Sequence, residues 1–180
     1  MTPDPNASAT LTTDRLILTP VALADFEAFC ALWRDEVFHR HITGRALTGE
    51  EVWFRLLRDI GHWSVLGRGN WAIRLKDTGA FVGSVGVLDF RREITPRLDA
   101  PELGWGVAGA FQGRGLAGEA LACALHWADT VLKAPRTVCM IAPGNAPSLR
   151  LADRAGYVRY GEGVYHGEPA LLLERAARSA

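Results

Sequence analysis

Neither sign of charge prevails in this sequence: 20 Lys and Arg face 20 Asp and Glu across 180 residues. Without a net field there is no long-range pull toward nucleic acid or an anionic membrane, so any anion must be held locally. Cysteine is scarce as well. Cys30, Cys123 and Cys139 are odd in number, widely spaced and set among apolar residues, which suits buried reduced thiols rather than a disulfide framework. That usage points to a reducing, cytoplasmic compartment. No apolar run approaches the roughly 18 to 20 residues that a membrane-spanning helix needs. Residues 1–10 are polar and proline-containing, without the charged start and apolar core of a signal peptide. They are expected to form a flexible tail ahead of a single domain over residues 11–180. The five histidines show no metal-ligand spacing, so no metal is expected. The six tryptophans lack an accompanying basic stripe and read as core and interface aromatics rather than a platform for bases.

What is present is the composition of a globular domain, 48% apolar and 22% charged. Residues 15–20 (RLILTP) form a short apolar strand closed by proline, followed by helical spacing of apolar residues over 22–33. A second amphipathic helix is expected over 48–65, opened by a capping box of Thr48 and Glu51. The turn Asp77-Thr78-Gly79 joins two apolar runs, 71–76 and 81–90, into a hairpin. A strand at 102–107 then leads into a long helix bearing Leu116, Ala117, Ala120, Leu121, Ala124, Leu125, Ala128 and Leu132 on one stripe. A strand at 137–142, a short helix over 146–155 stopped by Gly156, and strands near 157–161 and 170–174 complete the chain. The hairpin and closing strands argue for a mixed sheet rather than an all-parallel one.

The chemistry concentrates between residues 102 and 118. Gln112, Gly113, Arg114, Gly115, Leu116, Ala117 and Gly118 put small residues where a strand turns into a helix. The first N–H groups of that helix lack intrahelical partners and can hold a pyrophosphate, with Arg114 as a nearby cation. The same glycines spell G-x-G-x-x-G, but the acidic residue that a dinucleotide site needs is missing where the next strand ends at Ala142-Pro143-Gly144. No lysine followed by serine or threonine closes the run, which excludes a Walker loop. On the 102–107 strand, alternation puts Leu103, Trp105 and Val107 on one face and Glu102, Gly104 and Gly106 on the other. The second face reads as a carboxylate above a bare trench, suited to a thin guest near the backbone.

Taken with Asn145-Ala146-Pro147-Ser148 and Ala155-Gly156-Tyr157, these residues resemble the GNAT acetyltransferase superfamily. The likeness runs from about residue 11 to 173 and is nearest to the ribosomal-protein serine/alanine N-acetyltransferase branch. It rests on a Gln-x-x-Gly-x-Ala loop at Gln112, Gly115 and Ala117, followed by Asn145 with Ser148 and by Gly156 with Tyr157. The resemblance implies an α/β (α+β) fold with a mixed, mostly antiparallel splayed sheet of about seven strands and helices on both faces. It also implies acetyl-CoA as cosubstrate. Backbone at Trp105, Gly106 and Val107 would meet the thioester and pantetheine arm, the 112–118 loop the pyrophosphate, and Asn145 and Ser148 the pantetheine.

Transfer to an amine by direct attack in a ternary complex needs a base, for which Glu102 is the candidate, with Asp89 and Glu93 behind it. The departing CoA thiolate needs a donor. Many relatives use a tyrosine at the position that is Ala152 here, and Ser148 is the nearest substitute. Arg150 and Arg154 read as solvent-facing helix charges ahead of ligands for the adenosine phosphates. Three readings remain open: acetylation of a protein N-terminus, acetylation of a small amine such as an antibiotic or polyamine, and a catalytically silent acyl-CoA-binding module. No nucleic-acid or membrane partner is expected, and both a monomer and a homodimer are compatible with the sequence.

Overall fold

Residues 9–178 are described by a computed structural model. Eight strands form one sheet in the order β1-β2-β3-β4-β5-β6-β8-β7. The strands are β1 (Leu11–Thr12), β2 (Leu16–Pro20), β3 (Asn70–Leu75), β4 (Phe81–Leu88), β5 (Glu102–Val107), β6 (Arg136–Ile141), β7 (Val158–Tyr165) and β8 (Glu168–Ala176). Every named strand neighbour is antiparallel except β5 and β6, whose parallel pairing has a single register pair, Glu102 with Val138. The sheet therefore splays at β5/β6, as expected. The eighth strand is β1, two residues long and too short to leave a periodic signal.

The helices are α1 (Phe26–Arg34), α2 (Glu36–His39), α3 (Gly49–Leu66), α4 (Leu116–Thr130) and α5 (Ala146–Ala155). The capping box on α3 forms reciprocally: Glu51 N–H donates to Thr48 Oγ1 and Thr48 N–H to Glu51 Oε2. The hairpin closes as its turn requires, with Gly79 at φ +70° and Leu75 N–H donating to Ala80 O. Helix α2 has only four residues and carries no amphipathic period that sequence could reveal.

Two cores fill opposite faces of the sheet. On one, Leu116, Leu121 and Ala124 of α4 meet Leu18, Val85 and Leu103, while Leu151 and Ala152 of α5 close the end. On the other, α1, α2 and α3 bring Phe29, Trp33, Phe38, Val52 and Leu56 together. Trp63, Trp71 and Trp127 stack edge to face at 4.9 to 6.3 Å, so these tryptophans are core aromatics. Cys30 and Cys139 are buried and Cys123 is half-buried, all as free thiols. No described helix is long and apolar enough to cross a membrane.

Residues 1–8 of the expected tail lie outside the described residues. Ala9 is already anchored, because it is buried and its carbonyl accepts from Trp71 Nε1 at 2.6 Å.

A buried fork ties α4 to β8: Arg175 donates from both terminal nitrogens to Asp129 at 3.0 and 2.8 Å, with the side chains 6% and 7% exposed. Removing one member of such a pair strands the other charge, so Asp129→Asn is expected to cost about 3 kcal/mol in urea unfolding at pH 7. A cost below about 1 kcal/mol would contradict this account of the fork. The hydrogen bond from Arg175 leads in holding the Asp129 carboxyl below its usual range. Its contribution is thus complete above the unfolded-chain value of about 3.9 and lost as pH falls through the lower folded value.

Candidate active site

The parted strands β5 and β6 define the site. Ala108 N–H donates to Val82 O across β4, so the even residues of β5 turn their backbone groups toward β4. The odd ones, Trp105 and Val107, turn theirs toward β6, which has already diverged. Parallel neighbours also bring their carboxyl ends to one side. The loops that follow, leading into α4 and α5, both open onto the gap at a topological switch point.

On the β5 side, Gly109–Phe111 forms a single 3₁₀ turn and residues 112–115 then lead into α4. Gly113 and Gly115 sit at φ +73° and +78°, a left-handed conformation that other residues adopt only under strain. Gln112, Gly113, Arg114 and Gly115 are exposed, while Leu116 is buried and anchors the helix. Gly115 O accepts from Glu119 N–H, leaving the amides of Leu116, Ala117 and Gly118 without helical partners at the rim of the gap. The Gln112 side chain bends back to donate to Val107 O at 3.4 Å.

Two supports of this loop come from distant sequence. Arg15, in the turn between β1 and β2, donates to Arg114 O at 3.0 Å and pairs with Glu119 at 2.6 Å. It adds a second cation beside Arg114. Burial alone would raise the Glu119 carboxyl, but Thr13 and Arg15 hold it below its ordinary range. On the other flank, Asp35 caps α2 through Val37 N–H and accepts from Gly109 N–H at 2.6 Å. Sequence reasoning missed Arg15 and Asp35 as supports of this loop, since the contacts by which they reach it span 74 residues or more.

On the β6 side, Asn145 caps α5, its Oδ1 accepting from Ser148 N–H at 3.2 Å. Its amide oxygen is thus engaged in capping, while Ser148 is half-buried one turn into the helix. Ala152 is fully buried in the core, and Tyr157 is also buried, its hydroxyl 2.7 Å from Thr137 Oγ1. Burial pushes the Tyr157 hydroxyl up, so it stays protonated in its buried contact with Thr137. Arg150 and Arg154 are exposed on α5.

The alternation on β5 holds: Leu103 and Val107 are buried in the α4 core with Trp105 packed against it. The trench on the opposite face is corrected. A Cβ on Gly106 would lie 2.5 Å from Phe38 Cε2, and one on Gly104 would lie 3.0 Å from Leu88 Cδ1. The close approach that these glycines permit is made by the protein's own side chains, and what β5 leaves without a strand partner is its β6-facing backbone beyond Glu102.

Glu102 stands at the start of β5, buried, with Oε2 accepting from Arg92 Nε at 2.7 Å. Arg92 also donates to Tyr165 OH at 3.0 Å. Burial pulls the guanidinium down, but the Glu102 carboxylate and Tyr165 together hold it above its ordinary value. The carboxylate borders a cavity of about 360 Å³ whose walls include Arg68, Arg91, Arg92 and Arg97. Of the other carboxylates considered, Asp89 is shared by Arg68 and Arg91 at 3.4 and 3.5 Å, and Glu93 is exposed. No group of three or more described His, Cys, Asp or Glu side chains is placed to hold a metal.

Residues 15–158 match the model of the acetyltransferase (GNAT) domain. The chain belongs to the GNAT acetyltransferase family. This GNAT enzyme is 37% identical to a protein of Bordetella pertussis described as a GNAT-family acetyltransferase. The match covers 93% of this chain and 99% of that one, with a TM-score of 0.82. It is 25% identical over 153 residues to the N-acetyltransferase p20 of Bacillus licheniformis, covering 84% of each chain. Its fold recurs in a structure named as a ribosomal-protein-serine acetyltransferase from Vibrio cholerae, at 20% identity and a TM-score of 0.75, covering 93% of this chain and 97% of that one. The mixed, mostly antiparallel sheet of this GNAT acetyltransferase is thus that of a known fold.

Proposed function

We propose that this GNAT acetyltransferase moves the acetyl group of acetyl-CoA onto a primary amine, the α-amino group at a protein or peptide N-terminus, by direct attack in a ternary complex. The observation that carries the reading is the pairing of the two ends of β5. A carboxylate, Glu102, stands at one end, and at the other a loop of left-handed glycines leads to free amides at the start of α4. The residues present fit acetyl-CoA. The α4 amides, Arg114 and Arg15 offer donors and positive charge to a pyrophosphate, and the unpaired edge of Trp105 and Val107 offers hydrogen bonds to an amide-bearing arm. Gly106, whose α-face is closed by Phe38, contributes backbone alone. Asn145 shapes the far wall as the cap of α5.

Acetyl-CoA supplies an activated acetyl carbonyl and a thiolate leaving group, so the protein has to deprotonate the amine and protonate the thiolate. Deprotonating an α-amino group at pH 7 costs only about 1 kcal/mol, whereas a lysine side chain needs roughly 4 to 5 kcal/mol. A single carboxylate suits the first task. We assign Glu102 as the base, acting through a water and held in orientation by Arg92. Ser148 is assigned as the donor to the thiolate in place of the tyrosine that Ala152 replaces. The free thiols favour a cytoplasmic setting.

Release of free CoA thiol in the presence of acetyl-CoA, measured against N-terminal peptides and small amines, tests the reading. Peptides with a free α-amino group are expected to turn over faster than polyamines or aminoglycosides. Turnover confined to the small amines would contradict the acceptor assignment.

A further inference from the structure

We propose that the acceptor carries a carboxylate beside its amine, and that the arginines around the cavity next to Glu102 bind it. The proposal rests on the reading above that the acceptor amine approaches Glu102. A chain of zero formal net charge gathers four arginines on the wall of this one cavity, with Asp89, Asp99 and Glu102 as its acids. Those acids are already engaged. Asp99 is held by Arg136 from outside the cavity, Asp89 is divided between Arg68 and Arg91, and Glu102 is held by Arg92. Arg97 has no carboxylate partner among the described residues, and Arg92 keeps Nη2 without a hydrogen bond after serving Glu102 and Tyr165.

The excess continues behind the wall. Half-buried Arg55 lies 4.7 Å over the Trp33 ring and has no ion pair among the described residues. Burial first, then the positive charges of Arg58 and Arg92, lower its affinity for the proton. Arg58 and Arg92 both lie against the Phe90 ring, at 4.0 and 4.9 Å. Arg68 Nε is buried with no acceptor among the described residues. Arg58 is answered by Asp59 at 2.9 Å, which leaves Arg55 and Arg97 as the guanidinium groups here without a carboxylate among the described residues, and a buried unpaired donor such as Arg68 Nε is costly.

A carboxylate fits better than a phosphate dianion. It presents two oxygens to a guanidinium fork while adding only one negative charge beside Asp89 and Glu102. Two sources share this chemistry: the α-carboxylate of a free amino acid, and an acidic side chain on the first residue of a peptide.

Two pairs, compared per unprotonated amine because a carboxylate raises the pKa of the neighbouring ammonium, separate them: alanine against alaninamide, and a C-terminally amidated peptide beginning with Asp against the same peptide beginning with Asn. Each is assayed for thiol release with acetyl-CoA, and for binding by calorimetry in the presence of CoA. The carboxylate-bearing member of one pair is expected to exceed its partner by about 10-fold or more in kcat/KM, the scale of charge-assisted hydrogen bonds. Which pair shows the advantage identifies the source. Within that pair, Arg97→Gln and Arg68→Gln are each expected to bring the ratio toward one, a readout that overall loss of stability does not move. Turnover with equal rates in both pairs would overturn this inference while leaving the transferase reading intact. Carboxylate-selective binding without turnover would uphold the anion site and overturn the acceptor reading. Neither turnover nor selective binding would overturn both.

Discussion

Gly115→Val is expected to fold normally and to lose acetyl-CoA affinity by about 100-fold or more, because the loop that presents the α4 amides cannot keep its shape. At φ +78° the residue is in left-handed space, where an ordinary side chain costs roughly 1 to 2 kcal/mol and a β-branched one is a clear outlier. The chain escapes by rotating Gly115, and the amides of Leu116 to Gly118 rotate with it. Folding survives because Gly115 is exposed and an added Cβ meets only Arg15 Nη2, at an ordinary 3.5 Å. Gly115→Ala should fall between the two. Circular dichroism checks the fold and calorimetry the affinity. Retained affinity in the valine variant would remove the loop from the role of pyrophosphate cradle.

The second large effect belongs to Glu102. Glu102→Gln is expected to lower kcat by about 10² to 10⁴ while leaving acetyl-CoA affinity nearly unchanged, the range for loss of a general base. The ion pair adds a structural consequence. Glu102 and Arg92 side chains are 8% and 17% exposed, so the substitution leaves a mostly buried guanidinium without its carboxylate and also costs stability. The pH profile separates the two. With Glu102 as base, the wild-type enzyme accepts the protonated amine and removes its proton, whereas the glutamine variant depends on amine that is already neutral and its rate climbs more steeply as pH rises toward the amine pKa. A variant that is merely less stable keeps the wild-type profile below its melting temperature, and that result would remove Glu102 from catalysis.

Much of this site was legible in sequence because its signals are local. The alternation along β5, the glycines ahead of α4 and the Thr48/Glu51 box each lie within one element or at its start, where period and cap chemistry act directly. The gap between β5 and β6 was legible only through resemblance, since a strand does not announce where its neighbour parts from it. What sequence concealed is what distance assembles. Phe38 covers Gly106 from almost 70 positions away, which turned an apparent trench into packing. Arg92 reaches Glu102 from a loop whose composition looks like surface, and Tyr165 completes that contact from β7. Arg15 steadies the α4 entry through Glu119, an acid that in sequence is one more polar residue of an amphipathic helix. None of these pairs has a periodic or spacing signature, because tertiary contact alone makes them neighbours.

The most direct test of the central claim is calorimetric titration of the intact protein with acetyl-CoA, with free CoA and ATP as comparisons. The account predicts saturable binding of acetyl-CoA and CoA, with ATP much weaker because it has no pantetheine arm to lie along the open edge of β5. Absence of acetyl-CoA binding by a folded sample would contradict the account at its root.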